Sequence, residues 1–342
     1  MYRIYPARQG GDCGFFDPRN RPWYIAASSG PKNIVLLLDT SGSMSDIKLA
    51  LLKQAAGRVI NSLSSGDRVA IVPFSTQAEL IADKEGEKPV LFKATSVTKQ
   101  FLIQEIDQLR ASGSTNFIDP FDRAFEVLEN SVEIERTVSC NTAILFLTDG
   151  QMTGPDGVSE GDVLTRVDRD IDKLRNDSRL NGNAVTLFTF SISENDDVHS
   201  FPKELACSTG DGVWAPIVDE DEIIDSLNSY SQLFALGIGV GANENFTTWV
   251  EPFYFFDVKD VPGVTVSAPV YDRTKDPPLF LGVVGVNFLV AAADKALGVE
   301  PGSSRTLDLL ERQTTAKCPR IVNELTTCQR ESYRRRGTAG DD

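Results

Sequence analysis

With 342 residues, 41% of them hydrophobic and 24% charged, the chain is long enough for about two domains and has the composition of an ordinary folded protein. A formal net charge of -15 argues against general nucleic-acid binding, which needs clustered Lys and Arg. It suits a protein that attracts cations, while a solvated acidic surface accounts for most of these charges. The single histidine, His199, excludes a His-rich zinc site and argues against a Ser-His-Asp triad.

Residues 1–32 are rich in Gly, Pro and Arg, too short to fold alone, and must pack on something later in the chain. The apolar run Asn33-Ile-Val-Leu-Leu-Leu-Asp39 reads as a strand buried on both faces and ending in a carboxylate. Leu49, Leu52, Ala56, Val59, Ile60 and Leu63 recur at helical spacing, and Ser65-Gly66-Asp67 stops that helix. Arg68 to Ser75 is the next strand, which Pro73 places near a sheet edge or at a bulge. A helix from Lys99 to Leu109 leads into the Gly113-Ser-Thr-Asn116 loop. Asp119-Pro120 then opens another helix, with Asp119 as N-cap. Thr142 to Thr148 is a second buried strand running into Asp149. A polar helix (160–180), a strand Val185 to Ile192, a short helix near His199 and a helix over 220–235 follow. The alternation predicts an α/β domain over 33–235, a doubly wound, mostly parallel sheet with flanking helices. From 236 the pattern changes to a β-rich unit reaching 298. Its two antiparallel strands, Val264 to Tyr271 and Leu279 to Phe288, are joined by a turn from Asp272 to Pro278. Residues 299–342 read as a tail, partly disordered.

Asp39 stands at the carboxyl end of its strand, where open parallel sheets place their ligands. With Ser41 and Ser43 it offers hard oxygen donors suited to Mg²⁺. Asp149, at the end of the second buried strand, and the loop carrying Ser114 and Thr115 can converge on the same point. Neutral hydroxyls leave the ion electrophilic enough to accept a carboxylate from outside.

None of the five cysteines forms a CxxC pair. Cys318 and Cys328 could bridge a local loop or remain unpaired buried thiols. Asn176 and Asn245 are glycosylation acceptors by sequence. No signal peptide is visible, and the longest apolar run, Phe280 to Ala293, is too short to span a bilayer. The chain is therefore either intracellular or a fragment missing its start.

Asp39-Thr-Ser41-Gly-Ser43, Thr115 and Asp149-Gly150 resemble, in order, the metal site of von Willebrand factor A (VWA) domains. Asp67 to Ser75 resembles the second strand of that fold. The resemblance implies a metal-ion-dependent adhesion site in which Asp39, Ser41, Ser43, Thr115 and Asp149 hold Mg²⁺ (or Ca²⁺ or Mn²⁺), directly or through water. A protein partner's acidic side chain would complete the shell. Asp17 to Ala27 resembles the segment before the VWA domain in alpha-2/delta subunits of voltage-gated calcium channels. Arg21-Pro-Trp23-Tyr24, Trp249 to Asp257 and Gly282 to Val286 resemble parts of a Cache domain. The family implies a VWA domain inserted into a Cache-like unit, an extracellular or cell-surface setting, and a channel subunit as partner. In Cache domains that take amino acids, Arg21 would hold the ligand carboxylate. Trp23 and Tyr24 would line the pocket and Tyr254 would form a further wall. Two positions depart from that pattern, with Phe16 in place of a tyrosine and Asn287 in place of an aspartate.

The leading expectation is a non-enzymatic, cation-dependent interaction module. The alternatives are an amino-acid sensor with the VWA domain as accessory, or an intracellular VWA assembly factor. A phosphoryl-transfer enzyme with Asp39 as nucleophile lacks its lysine, whose place Thr40 takes.

Overall fold

The apolar run ending at Asp39 forms β1 (Lys32–Asp39), and all eight of its residues are buried. It belongs to a computed structural model that describes residues 22–44, 46–82, 86–134, 141–150, 152–154, 157–177, 185–193, 195–210, 212–219, 223, 247–254, 261–275, 279–300, 305–306 and 309–310. The elements that follow β1 are α2 (Asp46–Ser62), β2 (Arg68–Phe74), β3 (Phe92–Lys93), α3 (Ser96–Gln108), α4 (Ile118–Ile134) and β4 (Asn141–Thr148). After these come α5 (Glu160–Arg175), β5 (Val185–Ile192), a short 3-10 turn (Asp196–His199), α6 (Ser200–Ser208) and β6 (Val213–Ile217).

These strands make a six-stranded sheet in the order β3-β2-β1-β4-β5-β6, parallel except for β3. A buried parallel strand must be covered on both sides. Leu52, Ala56 and Ile60 of α2, with Leu102 and Ile106 of α3, cover one face. Phe121 and Leu128 of α4, Val163 and Ile171 of α5, and Phe201 of α6 cover the other. The chain moves from β1 to β2 on one side and later returns to β4 on the other. The crevice above the carboxyl ends of β1 and β4 is thus the topological switch point, where such sheets bind ligands.

Several boundaries differ from the sequence-based expectation. Asp119 is not the N-cap of α4 but lies within its first turn, because Asn116 Oδ1 already accepts the Ile118 N–H at 3.0 Å. The polar helix α5 is shorter than 160–180, framed by a capping box between Ser159 and Asp162 and ended at Asn176. Pro73 sits in the second strand without breaking its register to β1. β3 pairs only with Arg68 and Val69, so no ladder partner asks Pro73 for an N–H on the outer side. The helix expected over 220–235 lies outside the described residues except for Ile223, which is buried against the α2 and α3 face.

A second, four-stranded sheet contains β7 (Thr248–Trp249), β8 (Phe253–Tyr254), β9 (Pro262–Asp272) and β10 (Leu279–Leu289), with α7 (Val290–Leu297) after it. β9 and β10 form an antiparallel hairpin, and β10 is an edge strand with Leu281, Val284, Val286 and Phe288 exposed. The early helix α1 (Pro22–Ser29) packs on this hairpin. The Trp23 carbonyl accepts a hydrogen bond from Ser267 at 2.8 Å, and a Cβ on Gly285 would come within 3.3 Å of the Trp23 ring.

Two polar joints tie the sheets together. The fully buried Lys32 reaches Ser29 of α1 at 3.0 Å and both oxygens of the fully buried Asp67 at 3.2 Å. Glu251 accepts the Ser96 N–H at 2.9 Å and also its hydroxyl, placing a carboxylate at the N-terminus of α3 where the helix dipole favours it. Among the described residues no helix is long and apolar enough to cross a membrane.

Candidate metal centre

Asp39 is the last residue of β1, and Asp149 follows the last residue of the adjacent β4, so the sheet brings the two carboxylates to one end. Both are fully buried. Asp39 Oδ1 accepts the Ser41 N–H at 2.8 Å, and Oδ2 accepts the Thr148 hydroxyl at 2.6 Å. The Ser41 and Ser43 hydroxyls lie 3.0 Å apart on the same turn.

The Thr115 loop is fastened over this turn by backbone bonds. Gly42 N–H donates to Gly113 O at 3.0 Å and Ser112 N–H to Thr40 O at 2.8 Å. Thr115 is buried, its N–H donating to the Thr153 hydroxyl at 2.8 Å. Two residues on, Phe117 anchors the loop by stacking on Phe201 and meeting Phe146 edge-on. The five predicted ligands, Asp39 at the end of β1 and Ser41, Ser43, Thr115 and Asp149 on the loops beside it, therefore gather at one end of the sheet. Beside them, a cavity of about 400 Å³ opens between Thr40, Pro73, Phe74, Ser75, Thr76 and Leu109.

Burial pushes the Asp39 carboxyl up to about 6, against the lowering effect of its hydrogen bonds from Ser41 and Thr148, and the charge of Asp149 adds to the rise. Asp149 Oδ2 accepts from Lys48 at 2.9 Å, whereas its buried Oδ1 has no hydrogen-bond partner among the described residues. An unpaired buried carboxylate oxygen is costly, and a cation would satisfy it. The donors here are carboxylates and hydroxyls, which suit a hard divalent ion. No group of three or more His, Cys, Asp or Glu that could hold a metal occurs among the described residues, so any ion here would depend on the hydroxyls.

Three contributors escaped the sequence reading. Thr148 supports Asp39, Thr153 supports the Thr115 backbone, and Lys48 pairs with Asp149. Only Thr148 carried a local signal, its position next to Asp149. Gly150 is a further constraint, with φ at +85° and the Val198 carbonyl oxygen 2.0 Å from where a Cβ would stand. Gly150→Ala is expected to cost about 3 kcal/mol of stability from strain and overpacking. A thermal melt unchanged from wild type would contradict the tight approach.

The remaining candidates are dispersed. Arg21, Asn245, Cys318 and Cys328 lie outside the described residues. Trp23 and Tyr24 are half-buried, meeting each other edge-on, and Tyr24 meets Phe280. Tyr254 is 70% exposed. Asn287 Oδ1 accepts the Thr265 hydroxyl at 2.7 Å. Asn176 is exposed at the end of α5, with its side chain on the Asp172 carbonyl. Cys207 is disulfide-bonded, a pairing that cysteine spacing did not suggest.

Residues 33–229 match the von Willebrand factor type A domain family. The chain is 30% identical over 302 residues to the voltage-dependent calcium channel subunit alpha-2/delta-2 of Mus musculus, covering 83% of this chain and 24% of that one. It is 25% identical over 279 residues to the alpha-2/delta-3 subunit of Rattus norvegicus, covering 80% and 24% respectively. The chain thus spans about a quarter of the length of these relatives. Among solved structures, a von Willebrand factor type A protein from Catenulispora acidiphila aligns with a TM-score of 0.47 at 14% identity, covering 80% of this chain and 70% of that one. The chain belongs to the von Willebrand factor type A domain family and is homologous over most of its length to calcium channel alpha-2/delta subunits.

Proposed function

We propose that the VWA domain is a non-enzymatic interaction module whose Asp39, Ser41, Ser43, Thr115 and Asp149 hold Mg²⁺, directly or through water, with a partner's acidic side chain completing the shell. The observation that carries this reading is the pair of buried carboxylates at the switch point, one with an oxygen that has no hydrogen-bond partner among the described residues. When bound, the ion would supply a Lewis-acidic position for an incoming carboxylate, and Ca²⁺ or Mn²⁺ would fit the same oxygen donors. A role as catalytic nucleophile fits Asp39 poorly, because both its oxygens are already hydrogen-bonded and it is fully buried.

Similarity to alpha-2/delta subunits supports a channel subunit as the partner and an extracellular or cell-surface setting. The disulfide at Cys207 is in keeping with an oxidising compartment. The contacts of α1 with the β9–β10 hairpin support our reading of the flanks as a Cache-like unit around the VWA domain.

Binding of an acidic, ligand-mimetic peptide is expected in Mg²⁺ and to be lost in EDTA, with Asp39→Ala weak in both buffers. Equal binding by both proteins in both buffers would remove the ion from the mechanism.

A further inference from the structure

Lys48 lies in the first turn of α2, nine positions after Asp39. A cation there opposes the helix dipole, which favours negative charge at an N-terminus. What it gains instead is Asp149. Its ammonium sits 2.9 Å from Oδ2, joining a side chain that is 31% exposed to one that is fully buried. Asp39 is served by a backbone N–H and a hydroxyl, both neutral. Lys48 is therefore the one charged donor that either buried carboxylate has among the described residues.

A divalent ion held by Asp149 would meet this ammonium at contact range, where like charges repel. The lysine has a long, flexible stem and an outlet to solvent, whereas the short carboxylate is fully buried at the end of β4, beside Gly150 and its close approach to the Val198 carbonyl. Of the two partners, only the lysine can leave. We propose that Lys48 is an intramolecular counter-cation that a divalent ion must displace from Asp149, so that this residue sets the metal affinity of the site. In low metal the lysine neutralises Asp149. In high metal the ammonium is released to solvent beside the site, where it can meet an acidic partner. The proposal rests on the metal-site reading above.

The test is calorimetric titration of the full chain with Mn²⁺ in wild type, Asp39→Ala, Lys48→Met, Lys48→Gln and Lys48→Arg. Thermal melts in EDTA report which variants are folded. Both neutral variants are expected to bind Mn²⁺ about tenfold more tightly than wild type, the size of one charge-assisted contact, and Lys48→Arg to stay near wild type. The gain should persist in about 0.5 M salt, which screens distant charges far more than contacts. Mild acetylation read by mass spectrometry should modify Lys48 several-fold faster when Mg²⁺ is added to wild type, and not in Asp39→Ala. Equal or weaker binding by the neutral variants would make Lys48 a mere support for Asp149 and overturn the proposal. So would a gain that vanishes in salt, or acetylation indifferent to Mg²⁺. Wild type that binds no Mn²⁺ would overturn the metal reading as well, which separates the two failures.

Discussion

Asp39→Asn is expected to stabilise the chain in EDTA at pH 7 while weakening divalent-cation binding by about 100-fold or more, the upper end of what changes around a metal shell cost. The stability effect follows from the carboxyl, which burial pushes up to about 6 from its ordinary 3.8. A raised acid binds its proton more tightly in the folded state than in the unfolded one. Its contribution is therefore most favourable below about pH 4, declines as pH rises toward 6, and is flat above. A displacement of about two pH units corresponds to about 3 kcal/mol lost by neutral pH. The amide carries no charge to desolvate, so the variant should lack this decline. Urea unfolding in EDTA at pH 4, 5, 6 and 7 would show it, as a falling curve for wild type and a flatter one for Asp39→Asn. Parallel curves would mean that the Asp39 carboxylate is better solvated than its burial implies. Adding Mg²⁺ at pH 7 should restore stability to wild type alone, since the ion offsets the two buried charges that the fold holds together.

The second large effect concerns the far end of the sheet. Asp67 accepts the Lys32 N–H at 3.0 Å, the Lys32 ammonium at 3.2 Å, the Ser64 N–H at 2.7 Å and the Ser64 hydroxyl at 3.0 Å. Neither member of the ion pair has any exposed side-chain surface. Asp67→Ala would strand a buried ammonium together with several donors and is expected to cost about 3–5 kcal/mol. Replacing both partners, as Lys32→Met with Asp67→Leu, should cost much less, because no uncompensated charge is left behind. Chemical denaturation of the two variants makes the comparison. A loss under about 1 kcal/mol for Asp67→Ala would show that water replaces the carboxylate, and the joint between α1 and β1 would then be looser than its geometry indicates.

These two sites illustrate different degrees of legibility. Asp39 is readable because a two-sided buried strand has a distinctive apolar run, and a carboxylate closing that run breaks the pattern. β5 matches its expected span of Val185 to Ile192, since the same periodicity applies there. The β9–β10 hairpin is equally plain, two extended runs around a polar turn. Lys32 and Asp67 show nothing of their pairing, being 35 residues apart in sequence and each ordinary in its local setting. α1 is not recognisable as a helix from its own residues. Its partner surface, the hairpin around Ser267 and Gly285, lies more than 200 residues downstream. Asp119 reads as a cap because Asp-Pro is a strong local start signal, yet in the fold Asn116 has already taken the first N–H.

By itself, the sequence determined the alternation of strands and helices, the α/β class and the positions of Asp39 and Asp149 at strand ends, because hydrophobic periodicity and turn chemistry are local properties. The tertiary structure alone decided that β1 and β4 are neighbours, that Gly42 and Gly113 lock two loops together, and that Lys48 reaches Asp149 across 101 positions of chain. Those contacts depend on sheet order and on desolvation, and neither is written in any short window of residues. The charge state and accessibility of the site follow from burial, which exists only once the whole sheet has closed around it.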